Sequence, residues 1–200
     1  MITEFDASKL DQAFALLEGR LRLRQASPVG LVVCGGASLL ATGLIARTTR
    51  DVDIIALMSE DGTLLDPDPL PAPLLAAADE VREILGLPEE WLNNRPSRSD
   101  GGLFRMGLPT GLDKRLKVKR LGPNLSVGFI DRLDQIHLKL YASVDRGGYH
   151  IADLIALHPS DDELEASARW SMTHDVSQGF RETLKRLLDE IGHAKAAEAL

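Results

Sequence analysis

Asp51 and Asp53 stand one residue apart in the run RDVDIIAL, residues 50 to 57, which is otherwise filled with Val, Ile and Leu. Side chains at i and i+2 of a strand share a face, about 6.5–7 Å apart along it. The pattern predicts both carboxylates on one side and Val52 and Ile54 on the other. Two carboxylates so placed repel each other, which calls for a cation or for solvent. Mg²⁺ is a hard ion that takes one or two carboxylates together with phosphate oxygens. Such a pair is what metal-assisted phosphoryl or nucleotidyl transfer uses. Gly35-Gly36 lies just upstream, between an apolar run and a helical stretch, and Ser38 follows it. Glycine lets a ligand approach the backbone, and a helix start offers N–H groups to a phosphate. Taken singly, Asp-x-Asp also fits a solvated sheet edge and Gly-Gly also fits a plain tight turn. Together, strand, Gly-Gly, helix, strand and Asp-x-Asp describe one compact nucleotide-and-metal unit.

The elements that must position these residues follow from periodicity. Leu10, Phe14, Leu17 and Leu21 recur at helical spacing, predicting a helix over 6 to 24 that Asp6 or Ser8 would cap. Residues 31 to 34 read as a buried strand, 37 to 46 as a helix and 51 to 57 as a second strand. A proline-rich excursion covers 61 to 73, a helix 74 to 85, and a turn-rich stretch 93 to 102. Residues 116 to 121 and 125 to 129 read as strands around Gly122-Pro123-Asn124, the first with lysines outward and Leu and Val inward. Helices are expected over 131 to 145, 149 to 158, 161 to 172 and 177 to 191. This order predicts an α/β core, residues 1–130, with a mixed sheet flanked by helices, followed by a helical C-terminal region, residues 131–200.

Bulk properties narrow the function class. The chain has 200 residues, 44% of them hydrophobic but only 4% aromatic, so aliphatic side chains must fill the core. Cys34 is the only cysteine, which excludes an intrachain disulfide and argues against a thiolate zinc site. No stretch reads as a signal peptide or a bilayer-spanning helix, so a cytoplasmic protein with no membrane partner is expected. A net charge of −7 is not that of a general nucleic-acid binder; only Lys114 to Arg120 forms a local basic run, which fits a phosphate-tracking patch as well as a solvated strand. His137, His150 and His174 lie far apart and read as packing or surface residues.

Several motifs bear on family. Gly35-Gly36-x-x-Leu39, Gly43-Leu44 and Arg47-x-Thr49-x-Asp51-Val52-Asp53-Ile54 form the first block. Trp91-Leu92-Asn93 forms a second, and His137 to Ala142 with Asp145-Arg146 and Ala152-Asp153-Leu154 a third. Glu163-Leu164, Trp170 and Thr173-His174-Asp175 follow. In these blocks, which cover nearly the whole chain, the sequence resembles the DNA polymerase β-like nucleotidyltransferase superfamily. More narrowly it resembles the abortive-infection (AbiE-type) toxins and their bacterial relatives.

The resemblance implies a nucleotidyltransferase-fold sheet and transfer of an NMP group from an NTP, with Mg²⁺, to an RNA 3′ end such as that of tRNA or to a protein hydroxyl. It implies Asp51 and Asp53 as metal ligands, Gly35, Gly36 and Ser38 as nucleotide-binding residues, Lys139 on phosphate, and Asp153 orienting Lys139 or acting near the acceptor. A cognate antitoxin or other partner protein would follow from the toxin relatives. The superfamily usually adds a third carboxylate on a later strand. Here that strand reads Leu116 to Leu121 with lysines in its place, and Asp113 and Asp131 only flank it. Two alternatives therefore stand beside catalysis: a non-catalytic nucleotide-binding or antitoxin-like protein of the same fold, and a nucleotidyltransferase acting on a small molecule such as an antibiotic.

Overall fold

The computed structural model describes residues 4–200. They divide into two compact units, one ending at Asp131 and the other comprising Arg132–Leu200.

The first unit is an α/β layer structure. Helix α1 (Ala7–Leu23) starts where Asp6 accepts a hydrogen bond from the Lys9 N–H at 2.8 Å. Its apolar stripe, Leu10, Phe14, Leu17 and Leu21, is almost wholly buried. Strand β1 (Val29–Cys34) runs directly into α2 (Gly35–Ala41), and β2 (Val52–Met58) returns antiparallel to β1. After β3 (Leu64–Leu65) comes α3 (Ala72–Leu85), which opens on prolines and closes on Gly86 in the left-handed region. Strand β4 (Leu92–Asn93), a 3₁₀ turn (Arg95–Ser97), and the short helices α4 (Leu103–Met106) and α5 (Leu112–Arg115) lead to β5 (Lys117–Arg120) and β6 (Leu125–Phe129).

The strands form one mixed open sheet in the order β3-β2-β1-β6-β5, with β4 added parallel to the start of β2. β6 lies parallel to β1, and β5 antiparallel to β6. A bulge opposite Val32/Val33 places the extra residue Ile55 on β2, and Ile54 and Ile55 are both fully buried. Helices α1 and α3 cover the face bearing Leu31, Val33, Val52, Ile54, Val127 and Phe129.

Two expectations are corrected. The helix after Gly35-Gly36 is seven residues long and stops at Ala41, not at 46. Its end is set by Thr42, whose hydroxyl donates to the Ser38 carbonyl at 2.6 Å, and by Gly43 at φ +70. The basic strand β5 has no buried face: all four residues are exposed, Val118 included, because it is the edge strand of the sheet.

The second unit is all helical: α6 (Arg132–Arg146), α7 (Tyr149–Ala156), α8 (Asp161–His174), α9 (Gln178–Glu190) and α10 (Ala194–Glu198). α6 is buried from Asp134 to Leu140 and touches α7, α8 and α9. Gly147 and Gly148, both at positive φ, turn the chain between α6 and α7. Ser160 and Glu163 form a reciprocal capping box at the start of α8. Among the described residues no helix is long and apolar enough to cross a membrane.

Candidate active site

Val52 and Ile54 both lie in the core, so strand alternation turns Asp53, and Asp51 two residues before it, to the other side. In the β1–β2 register Asp53 pairs with Cys34, the residue immediately before Gly35. The two glycines therefore sit directly beside the acidic pair. A Cβ on Gly35, which has φ +64, would stand 3.1 Å from Asp53 Oδ2. A Cβ on Gly36 would stand 2.6 Å from Thr49 Oγ1 and 3.5 Å from the Arg47 guanidinium. Glycine thus lets the backbone pass close to Asp53 and Thr49, where any other residue would force its neighbours to shift. The segment carrying Thr49 is anchored by paired backbone hydrogen bonds with Phe5, whose ring packs against Trp91 at 5.7 Å.

The acidic pair has a counter-charge that spacing alone did not reveal. The Val52 N–H donates to the Trp91 carbonyl at 2.6 Å, and β4 then pairs Val52 with Leu92 and Asp53 with Asn93. Trp91 is buried, and its indole N–H donates to the Ala78 carbonyl at 3.0 Å. The Asn93 side chain accepts from the Arg95 backbone N–H at 2.9 Å. Trp91-Leu92-Asn93 is therefore a clip that sets Arg95 beside β2. Arg95 Nη1 lies 3.4 Å from Asp51 Oδ2, and Nη2 donates to Glu90 at 2.8 Å. The hydrogen bond to Glu90, then the fields of Glu90, Asp51 and Asp53, raise the pKa of Arg95, with partial burial opposing. The Arg95 hydrogen bond in turn holds Glu90 below the usual carboxylate range. Arg95 lies 44 residues from Asp51, reached through a two-residue strand, so the signal in the sequence was the Trp-Leu-Asn clip.

Ser38 turns inward. It is fully buried and its hydroxyl donates to the Ile130 carbonyl at 3.3 Å, so it ties α2 to the end of β6 instead of facing a ligand. The brevity of α2 also limits what its dipole adds at Gly35-Gly36. Asp131 follows β6 at this same end of the sheet, with Lys117 Nζ 3.8 Å away. β1 separates β6 from β2, so Asp131 is about two strand spacings, roughly 10 Å, from the acidic pair. Asp113 lies in α5.

Lys139 and Asp153 belong to the helical unit. They face each other across α6 and α7 as an ion pair with Nζ–Oδ2 of 2.7 Å, and the two side chains are only 5% and 4% exposed. The Tyr149 ring lies 5.5 Å from the ammonium. Lys139 is thus neither solvent-facing nor snorkelling. His137 packs edge-on to Trp170, and its Nδ1 lies 2.8 Å from the Leu133 carbonyl. His150 stacks on Tyr149 at 4.1 Å.

Two half-open carboxylates fit Mg²⁺, which keeps several waters and takes remaining oxygens from phosphate. Among the described residues no three His, Cys, Asp or Glu side chains converge as a closed metal cage would require. Comparison with models of known families, with characterised proteins and with solved structures returned no match.

Proposed function

We propose that this chain is a nucleotidyltransferase of the DNA polymerase β-like type, moving NMP from an NTP to an RNA 3′ end or a protein hydroxyl, as the toxin half of a toxin–antitoxin pair. One observation carries the reading: Gly35-Gly36 and the Asp51/Asp53 strand start lie side by side at one sheet end, with Gly35 in close approach to the Asp53 carboxylate. Mg²⁺, when bound, would neutralise phosphate charge, held by Asp51 and Asp53. Gly35 and Gly36 admit the triphosphate to the backbone, and Arg47 beside Gly36 adds a cation to that wall. Within the helical unit, Asp153 holds Lys139, the residue to which the resemblance gives a phosphate contact, in a buried ion pair. Asp131 is the further carboxylate at this sheet end and takes the part of acceptor base.

The test is a label-transfer screen of the four NTPs with Mg²⁺ against tRNA, lysate and any protein encoded beside the gene. Labelled product that disappears in Asp53→Ala supports transfer. A second reading, a non-catalytic nucleotide binder, is favoured by one observation. β5 carries Lys117 and Lys119 and no carboxylate. NTP binding without labelled product from any acceptor would select it.

A further inference from the structure

Asp51 and Glu90 share one guanidinium. Arg95 Nη2 holds Glu90 at 2.8 Å and Nη1 reaches Asp51 at the longer 3.4 Å, while Arg98 lies 3.6 Å from the other Glu90 oxygen. The backbone of Arg95 is fixed by Asn93, itself in register with Asp53. Arg95 is therefore tethered to Glu90 and leans on Asp51, at a rim where its side chain is 51% exposed. We propose that Arg95 is a positioning residue that serves as the resident counter-ion of Asp51 and competes with a divalent cation for it, with Glu90 restraining that competition. The inference rests on reading Asp51 and Asp53 as a cation-binding pair. It accounts for how two carboxylates persist on one strand face before any ion arrives, and it assigns the Trp91-Leu92-Asn93 clip the task of holding the guanidinium at that distance.

The size of the effect follows from Coulomb's law. A unit charge and a divalent ion about 6 Å apart under water-like screening repel enough to change affinity about tenfold. The probe is Mn²⁺ alone, titrated into the full chain and followed by the electron paramagnetic resonance of the free ion at fixed ionic strength. Arg95→Gln should bind Mn²⁺ about tenfold more tightly than wild type, Arg95→Lys should stay near wild type, and Asp51→Asn should lose most binding. Glu90→Gln should weaken binding several-fold, and that loss should shrink in the Arg95→Gln background, where there is no guanidinium to restrain. A merely structural Arg95 would lower thermal stability without raising Mn²⁺ affinity. If Arg95→Gln is folded by circular dichroism and binds Mn²⁺ no more tightly, the proposal is overturned. The cation-site reading then survives on the Asp51→Asn loss alone. If Arg95→Gln does not fold, the Glu90→Gln arm decides, with unchanged or tighter binding overturning the proposal. If neither wild type nor Arg95→Gln binds Mn²⁺, the cation site and the inference fall together.

Discussion

Asp153→Asn removes the negative half of an ion pair whose two side chains are 4–5% exposed. At 2.7 Å and an effective dielectric constant of about 20, their attraction is about 6 kcal/mol before desolvation is subtracted. Deleting one partner of such a pair typically costs about 3–5 kcal/mol, because the remaining charge stays in poor solvent. Asparagine keeps a carbonyl oxygen near Nζ, so the expected loss is at the lower end, about 3 kcal/mol. The Tyr149 ring, 5.5 Å away, offsets little of it. Lys139→Met with Asp153→Leu removes both charges and replaces them with apolar volume, which should recover most of that loss. Urea unfolding of wild type, Asp153→Asn, Lys139→Met, Asp153→Leu and the double variant, followed by far-ultraviolet circular dichroism, measures the loss and the coupling. A loss under about 1 kcal/mol in Asp153→Asn, or a double variant no better than the worse single, would refute the reasoning.

Gly36→Ala places a Cβ 2.6 Å from Thr49 Oγ1 and 3.0 Å from Thr49 Cβ, so the segment leading to Asp51 must shift; a destabilisation of about 1–3 kcal/mol is expected in urea titration, and Thr49→Ala in the same chain should relieve at least half of it. Glu163 accepts from both ends of the Arg132 guanidinium, at 2.6 and 3.0 Å, and that hydrogen bond lowers its pKa below the ordinary 4.5. Because the folded pKa is the lower one, the contribution is present above about 4.5 and vanishes as pH falls through the folded value. Melting curves should therefore show Glu163→Gln well below wild type at pH 7, with the gap closing towards pH 3; a constant gap would sink this assignment.

Local signals read well and distant ones did not. The strand–turn–strand unit from β1 to β2 was legible because its apolar alternation and its Gly-Gly and Asp-x-Asp signals lie within about twenty-five residues of one another. The long helices α1, α3, α6, α8 and α9 were legible from apolar periodicity, and α1 also from its capping Asp6. The pairing of β4 with β2 was not, because two residues carry no periodicity; the counter-charge at Asp51 stayed hidden with it. Helices α4, α5 and α10, four or five residues each, are too short to show a face. Val118 was misread because alternation cannot tell a covered strand from an edge that neither face of the sheet protects. The direction of Ser38 depended on Ile130, 92 residues away.

The most direct test of the account is calorimetric titration of each NTP, with and without Mg²⁺, into wild type and into the Asp51→Asn/Asp53→Asn double variant. The account predicts binding of at least one NTP that requires Mg²⁺ in wild type. It predicts loss of that binding in the double variant, which remains folded by circular dichroism. Equal Mg·NTP affinity in the two proteins would contradict it.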